Sequence, residues 1–194
     1  MYRLEIISAE PKVRKHPNPI LFVHGAYVAA WCWEEYFLEY FAKQGFSAHA
    51  LSLRGHGESG GSMMLHSFHL RDFAEDISIV TERLDGAPIL VGHSMGGMVI
   101  QKYLEHDTVP GAVFITTIPL SGVGVAGFEI AMRSPMMYSQ LFMVQNLGSQ
   151  FATPSFARQA LFSADVSDID LFRYQPRFQA ESSAAIWDAS YMDI

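Results

Sequence analysis

The stretch LVGHSMGGMVI, residues 90–100, limits what this chain can fold into more than any other. An apolar run leads to Ser94, with Gly92 before it and Gly96 and Gly97 after it, and then continues at helical spacing. A strand that turns directly into a helix leaves little room at the turn. Glycines at Gly92 and Gly96 therefore mark positions where a side chain would collide. The serine between them is expected on a sharp, strained backbone that lifts its hydroxyl above the end of the strand.

Around this turn the first half of the chain alternates in period. YRLEIIS, PILFVHG, FSAHALSL, PILVGHS and GAVFITTI read as strands. WEEYFLEYFAKQG reads as a helix with Trp33, Phe37, Tyr40 and Phe41 at helical spacing and Gly45 as its terminator. Residues 68–84 place Leu70, Phe73, Ile77, Val80 and Leu84 on one helical face, and MGGMVIQKYLEH forms the next helix. Strands alternating with helices of this length predict an α/β fold, a mostly parallel sheet with helices on both faces. After Pro119 no strong strand pattern returns. Residues 1–119 are read as the α/β core and 120–194 as a helical cap, with no internal repeat.

Composition excludes several classes. The chain has 194 residues, 49% hydrophobic and 17% charged, an ordinary globular balance that supports one sizeable core. A net charge of −7 is wrong for a nucleic-acid surface. The N-terminus carries no apolar run of signal-peptide length, and the single Cys32 suits a reducing compartment, so a cytoplasmic protein is expected. Residues 109–128 are charge-free and approach the length of a membrane span. They contain Pro110, Pro119 and four glycines, and AVFITTI within them reads as a buried strand, so no membrane span is expected.

The chemistry is concentrated at GHSMG, residues 92–96, which fits G-x-S-x-G in the strand–turn–helix setting of a nucleophile elbow. Ser94 is the expected nucleophile. The next helix aims free backbone N–H groups at a developing oxyanion, with Met95 as one donor. FVHGAY, residues 22–27, also ends a strand; Gly25 permits a tight turn there and the Ala26 N–H is the second expected donor. His24 is read as a shaper of that loop and not as a base. LRGHGESGG, residues 53–61, resembles a phosphate-cradling loop but lacks the Lys-Ser/Thr ending of a P-loop, and no helix is expected directly after it.

HGAYVAAWCWEEYFLEYFAKQGFSAHALSLRGHGESGG together with LVGHSMGG resembles the α/β-hydrolase superfamily, in particular bacterial lysophospholipase-like and monoglyceride-lipase-like serine hydrolases. FQAESSAAIWDAS resembles the end of that family's helical cap. The resemblance covers nearly all of residues 18–118 and implies a catalytic Ser94, oxyanion donors at Ala26 and Met95, and ester or related acyl substrates. It also implies an acid and a histidine after the serine, in that order.

Here the chain departs from the pattern. The histidines are His16, His24, His49, His56, His66, His69, His93 and His106, and none follows His106. TTIPLSG, where some relatives carry the acid, has no carboxylate. The catalytic acid and histidine are therefore unassigned. His93 adjoins Ser94 but should point away. His24 and His56 are explained by turn architecture, and Asp188 and Asp193 by solvation at the cap's end. His66 and His69 at i, i+3 are read as a solvated helix start, so no metal is expected, and no cofactor. Losing one triad member costs roughly 10⁴ to 10⁶ in turnover and leaves about 10³ to 10⁴ over water. The chain is accordingly expected to be truncated before the family's Asp and His. The strand at 111–118 is expected as an exposed edge that favours a homo-oligomer. Met132, Met136, Met137, Tyr138, Phe142 and Met143 are expected to line an acyl pocket for a small-molecule ester. Two other readings stay open: a non-catalytic binding protein, or another chemistry of the same fold such as haloperoxidase, acyltransferase or lyase.

Overall fold

A computed structural model of the protein describes residues 2–147, 153–163 and 165–191. Five strands, β1 (Glu5–Ala9), β2 (Ile20–Val23), β3 (Ala48–Ser52), β4 (Ile89–His93) and β5 (Gly111–Ile115), form one sheet in the order β1-β3-β2-β4-β5. β1 runs antiparallel to β3 and every other pairing is parallel. In the register, Phe22 on the central strand lies opposite Ala50 on β3 and Val91 on β4. This is the mostly parallel sheet read from the sequence.

The pleat explains why β2 is apolar at every position. Successive side chains point to opposite faces, and both faces are covered. Ile20 and Phe22 pack with Ala48, Ala50 and Val91 on one face. Leu21 and Val23 pack with Leu51, Leu53 and Leu90 on the other. Burying each of the Val, Leu, Ile and Phe side chains among these contributes about 1.5–3 kcal/mol of hydrophobic stabilisation.

The first face is covered by the segment 31–44, built from α1 (Trp31–Trp33), a π-helical turn at Glu34–Leu38, and α2 (Glu39–Gln44). Gly45 ends it in the left-handed region at φ 100°, as its position predicts. The π turn corrects the expected helix face. An i→i+5 turn takes up one extra residue and rotates the helix beyond it. Trp33, Leu38 and Ala42 are the residues buried, while Tyr40 is 57% exposed and Phe37 sits at the margin.

The opposite face is covered by α3 (Leu70–Thr81) and α4 (Met95–Tyr103), through Phe73, Ile77, Val80, Met98 and Ile100. A 3-10 helix at Ser62–Ser67 begins directly after Gly61, where none was expected; Gly61 at φ 100° provides the turn into it.

Beyond β5 the described residues are helical: α5 (Gly124–Arg133), α6 (Pro135–Leu147), α7 (Pro154–Leu161), α8 (Asp168–Tyr174) and α9 (Ser183–Tyr191). Thr153 caps α7 by accepting the Phe156 N–H at 3.2 Å, and Ser167 caps α8 through the Asp170 N–H at 3.0 Å. The last helix returns to the core, where Ala185 and Ala189 join the cluster around α3 and α4. No described helix is long and apolar enough to cross a membrane.

Candidate active site

Ser94 stands between β4 and α4 at φ 52°, ψ −120°, a backbone that a residue with a side chain rarely adopts. The strain is held in place by both flanks. The Ser94 N–H donates to the Ile115 carbonyl at 3.0 Å, and its own carbonyl accepts the Gly97 N–H at 3.1 Å. The glycines around it occupy close approaches. A Cβ at Gly92 would lie 2.6 Å from Gly97 Cα, and one at Gly96 would fall on the carbonyl oxygens of Val23 and His24. A Cβ at Gly25 would stand 3.1 Å from Ser94 Cβ, so the turn after β2 presses directly against the serine. The amide N–H groups of Ala26 and Met95 flank this contact and have no backbone partner among the described residues.

The histidines near the turn are occupied elsewhere. His24 is fully buried; its Nδ1 donates to the Gly25 carbonyl at 2.8 Å and its Nε2 accepts the Leu53 N–H at 3.1 Å. Burial, followed by the neighbouring His56, lowers its pKa to about 3, so it stays neutral with both nitrogens engaged. His93 is half-buried and turns its ring toward Trp33, with centroids 6.4 Å apart; burial lowers its pKa. Ser94 Oγ makes no hydrogen bond among the described residues.

His56 meets a residue that sequence reasoning missed. Its Nε2 lies 3.0 Å from Glu181 Oε2, and both side chains are buried. The same oxygen accepts the Tyr27 N–H at 3.2 Å, and Glu181 Oε1 accepts the Ser182 N–H at 2.6 Å. Two residues earlier, the Gln179 N–H donates to the Tyr27 carbonyl at 2.9 Å, and its side-chain oxygen accepts the Gly57 N–H at 2.9 Å. Residues 179–182 thus clamp the 24–27 turn and the 53–61 loop together. In FQAESS nothing distinguishes this carboxylate from a solvated one.

His66 is exposed, whereas His69 and Asp188, expected to be solvated, are part-buried and paired with each other. His69 Nδ1 lies 3.0 Å from Asp188 Oδ2, which also accepts the Leu70 N–H at 3.0 Å, and His66 Nδ1 lies 3.1 Å from Ser183 Oγ. α9 packs over the start of α3, and that packing creates these pairs. Asp193 lies outside the described residues. Among the described residues, no three His, Cys, Asp or Glu side chains converge as for a metal ion. Burial pushes the Cys32 thiol up to about 12, which leaves it protonated.

A cavity of about 60 Å³ is lined by Tyr27 and by Leu141, Val144, Phe156, Ala160 and Phe178 of the helical segment after β5. The expected lining is therefore corrected. Met132, Met136, Tyr138, Phe142 and Met143 are exposed, and Met137 is half-buried outside the cavity wall. On α6 the inward stripe runs through Met137, Leu141 and Val144, so the helical period turns Met136 and Met143 outward. The Tyr27 hydroxyl is buried without a hydrogen-bond partner.

The chain is 28% identical to a pyrethroid hydrolase of Sphingobium wenxiniae over 51% of its length and 35% of that protein. It is 30% identical to a non-heme chloroperoxidase of Burkholderia pyrrocinia over 54% of its length and 39% of that protein. The matched parts thus span little more than a third of these relatives. The crystal structure of a bromoperoxidase from Bacillus anthracis superposes with a TM-score of 0.75 at 19% identity, covering 99% of this chain and 71% of that one, a likeness of fold. The sequence model of the Alpha/beta hydrolase family matches residues 20–193, from the central strand through the last helix, and the chain belongs to that family.

Proposed function

We propose that the protein acts on carboxylic esters through Ser94, with the N–H groups of Ala26 and Met95 as the oxyanion hole. The single observation that carries this reading is the strained Ser94 backbone at φ 52°, ψ −120°, wedged against Gly25. Such strain costs about 1–3 kcal/mol and persists at sites where the conformation is used. In the proposed step Ser94 Oγ bonds to the ester carbonyl carbon, and the carbonyl electrons move onto oxygen, which the two amides stabilise. Collapse expels the alkoxide, which leaves as the alcohol with the proton released by the serine. Water then cleaves the acyl-serine to the acid and restores the hydroxyl. No described side chain hydrogen-bonds Ser94 Oγ, so general-base assistance within these residues is not part of the proposal.

An activated ester tests the step without requiring fast turnover. Incubation with p-nitrophenyl acetate is expected to add one acetyl group, located to Ser94 by tandem mass spectrometry and lost in Ser94→Ala. Acetylation elsewhere only, or none, overturns the reading. A second reading rests on the chloroperoxidase among the relatives: haloperoxidase chemistry on the same serine. Halide- and peroxide-dependent bromination of monochlorodimedone, lost in Ser94→Ala, distinguishes it.

A further inference from the structure

The peptide between Gly25 and Ala26 carries a proposed oxyanion donor, and its position creates a mechanical problem. A Cβ at Gly25 would stand 3.1 Å from both Ser94 Cβ and the His93 carbonyl oxygen, so glycine is what lets the turn approach the serine. Glycine has no Cβ to restrict its backbone torsions, so the peptide plane that follows it is the least constrained part of the turn. Beyond it the chain is pinned. The Tyr27 N–H donates to Glu181 at 3.2 Å, and the Tyr27 carbonyl accepts the Gln179 N–H at 2.9 Å. Among the described residues the peptide itself has one hydrogen bond, donated by His24 Nδ1 to the Gly25 carbonyl at 2.8 Å.

That bond has a defined direction. The Leu53 N–H can only donate, so His24 Nε2, which accepts it at 3.1 Å, carries no proton and Nδ1 carries the one that is donated. The ring is fully buried and stays neutral, because burial and the neighbouring His56 lower its pKa to about 3. The peptide is trans and planar, so its C=O and N–H point opposite ways. Holding the Gly25 oxygen against His24 therefore fixes the direction of the Ala26 N–H, away from the ring. An oxyanion is stabilised best by a donor already aimed, since one that must reorient during the reaction loses part of its advantage.

Resting on the Ser94 reading, we infer that His24 is a positioning residue for the oxyanion hole: by donating from Nδ1 to the Gly25 carbonyl it aims the Ala26 N–H. The Leu53 amide completes the arrangement, because it sets which nitrogen donates.

Two substitutions separate the two bonds. Asn places an amide N–H where Nδ1 stands, so His24→Asn keeps a donor for Gly25 and loses the acceptor for Leu53. Gln reaches as far as Nε2, so His24→Gln does the reverse. His24→Asn should be acetylated by p-nitrophenyl acetate about ten-fold faster than His24→Gln, a part of the roughly 10² to 10³ that one oxyanion donor provides. The NMR order parameter of the Ala26 amide should stay at about 0.85 in wild type and His24→Asn and fall toward about 0.6 in His24→Gln, with or without Ser94→Ala. This second readout needs no chemistry. Absence of acetylation in every form, with the order-parameter difference intact, would overturn the ester reading while supporting the positioning. Equal order parameters in the two variants, or acetylation that follows melting temperature and not the Nδ1 donor, overturns the inference. In wild type, long-range proton–nitrogen correlation of labelled histidines should show His24 protonated at Nδ1 alone through neutral pH. The opposite tautomer, or a ring that titrates there, overturns the inference even where a variant fails to fold.

Discussion

His56 Nε2 and Glu181 Oε2 lie 3.0 Å apart, both buried, and join the loop after β3 to a segment 125 residues later. Burial works against a charged His56, and the Glu181 carboxylate outweighs it, so the net shift of the His56 pKa is upward. A histidine with a raised folded-state pKa adds stability that is complete below its unfolded value, about 6.5, and fades as pH rises through the folded value. The thermal stability gap between wild type and His56→Gln should therefore be widest at about pH 5–6 and narrow toward about pH 8. A gap that widens with pH would show that the pair is not held as an ion pair. Glu181→Ala, which strands one partner of a buried pair, should cost about 3–5 kcal/mol.

Ser94 trades stability for position. Glycine accepts φ 52°, ψ −120° without the clash of a Cβ, at an entropic cost of about 0.5–1 kcal/mol. Against strain of about 1–3 kcal/mol, Ser94→Gly should raise Tm, by about 2–4 °C per kcal/mol for a chain of this size, while Ser94→Ala should not. Differential scanning calorimetry reads the difference. Equal melting of all three forms would mean the turn is unstrained.

A serine hydroxyl with no hydrogen-bonded base among the described residues is open to rescue from solution. Added imidazole should accelerate p-nitrophenyl acetate hydrolysis in wild type more than in Ser94→Ala, by about ten-fold, short of the 10² to 10⁴ that a positioned base contributes. Parallel acceleration in both proteins would be solution chemistry alone.

β5 pairs with β4 on one side and, among the described residues, with nothing on the other, while Val113 and Phe114 are 47% and 42% exposed. An open apolar edge favours pairing with a second copy. Sedimentation velocity should show association that grows with concentration, and Val113→Lys should suppress it. A monomer at all concentrations would remove this role for the edge.

Much of the fold was legible because it depends on period. The continuous apolar run ILFV, the helical stripe through Phe73, Ile77 and Val80, and the Gly45 terminator all appear where local pattern puts them. The glycines at 25, 92 and 96 were legible for a related reason: only a close approach explains them, and each has one. What misled was anything set by a neighbour distant in sequence. The π turn at Glu34–Leu38 shifts a face by one residue, and the cavity beside Tyr27 takes Leu141 and Val144 in place of Met136 and Met143.

The sequence by itself determined the α/β alternation, the strand–turn–helix at Ser94 and the identity of its flanking glycines, because each is written in spacing over a few residues. Only the tertiary structure decided which polar groups meet: Glu181 buried against His56 and the Tyr27 N–H, and Asp188 against His69 and the start of α3. A carboxylate or a phenol reads the same in sequence whether water or a distant segment covers it. Its role is set by the packing that removes the water.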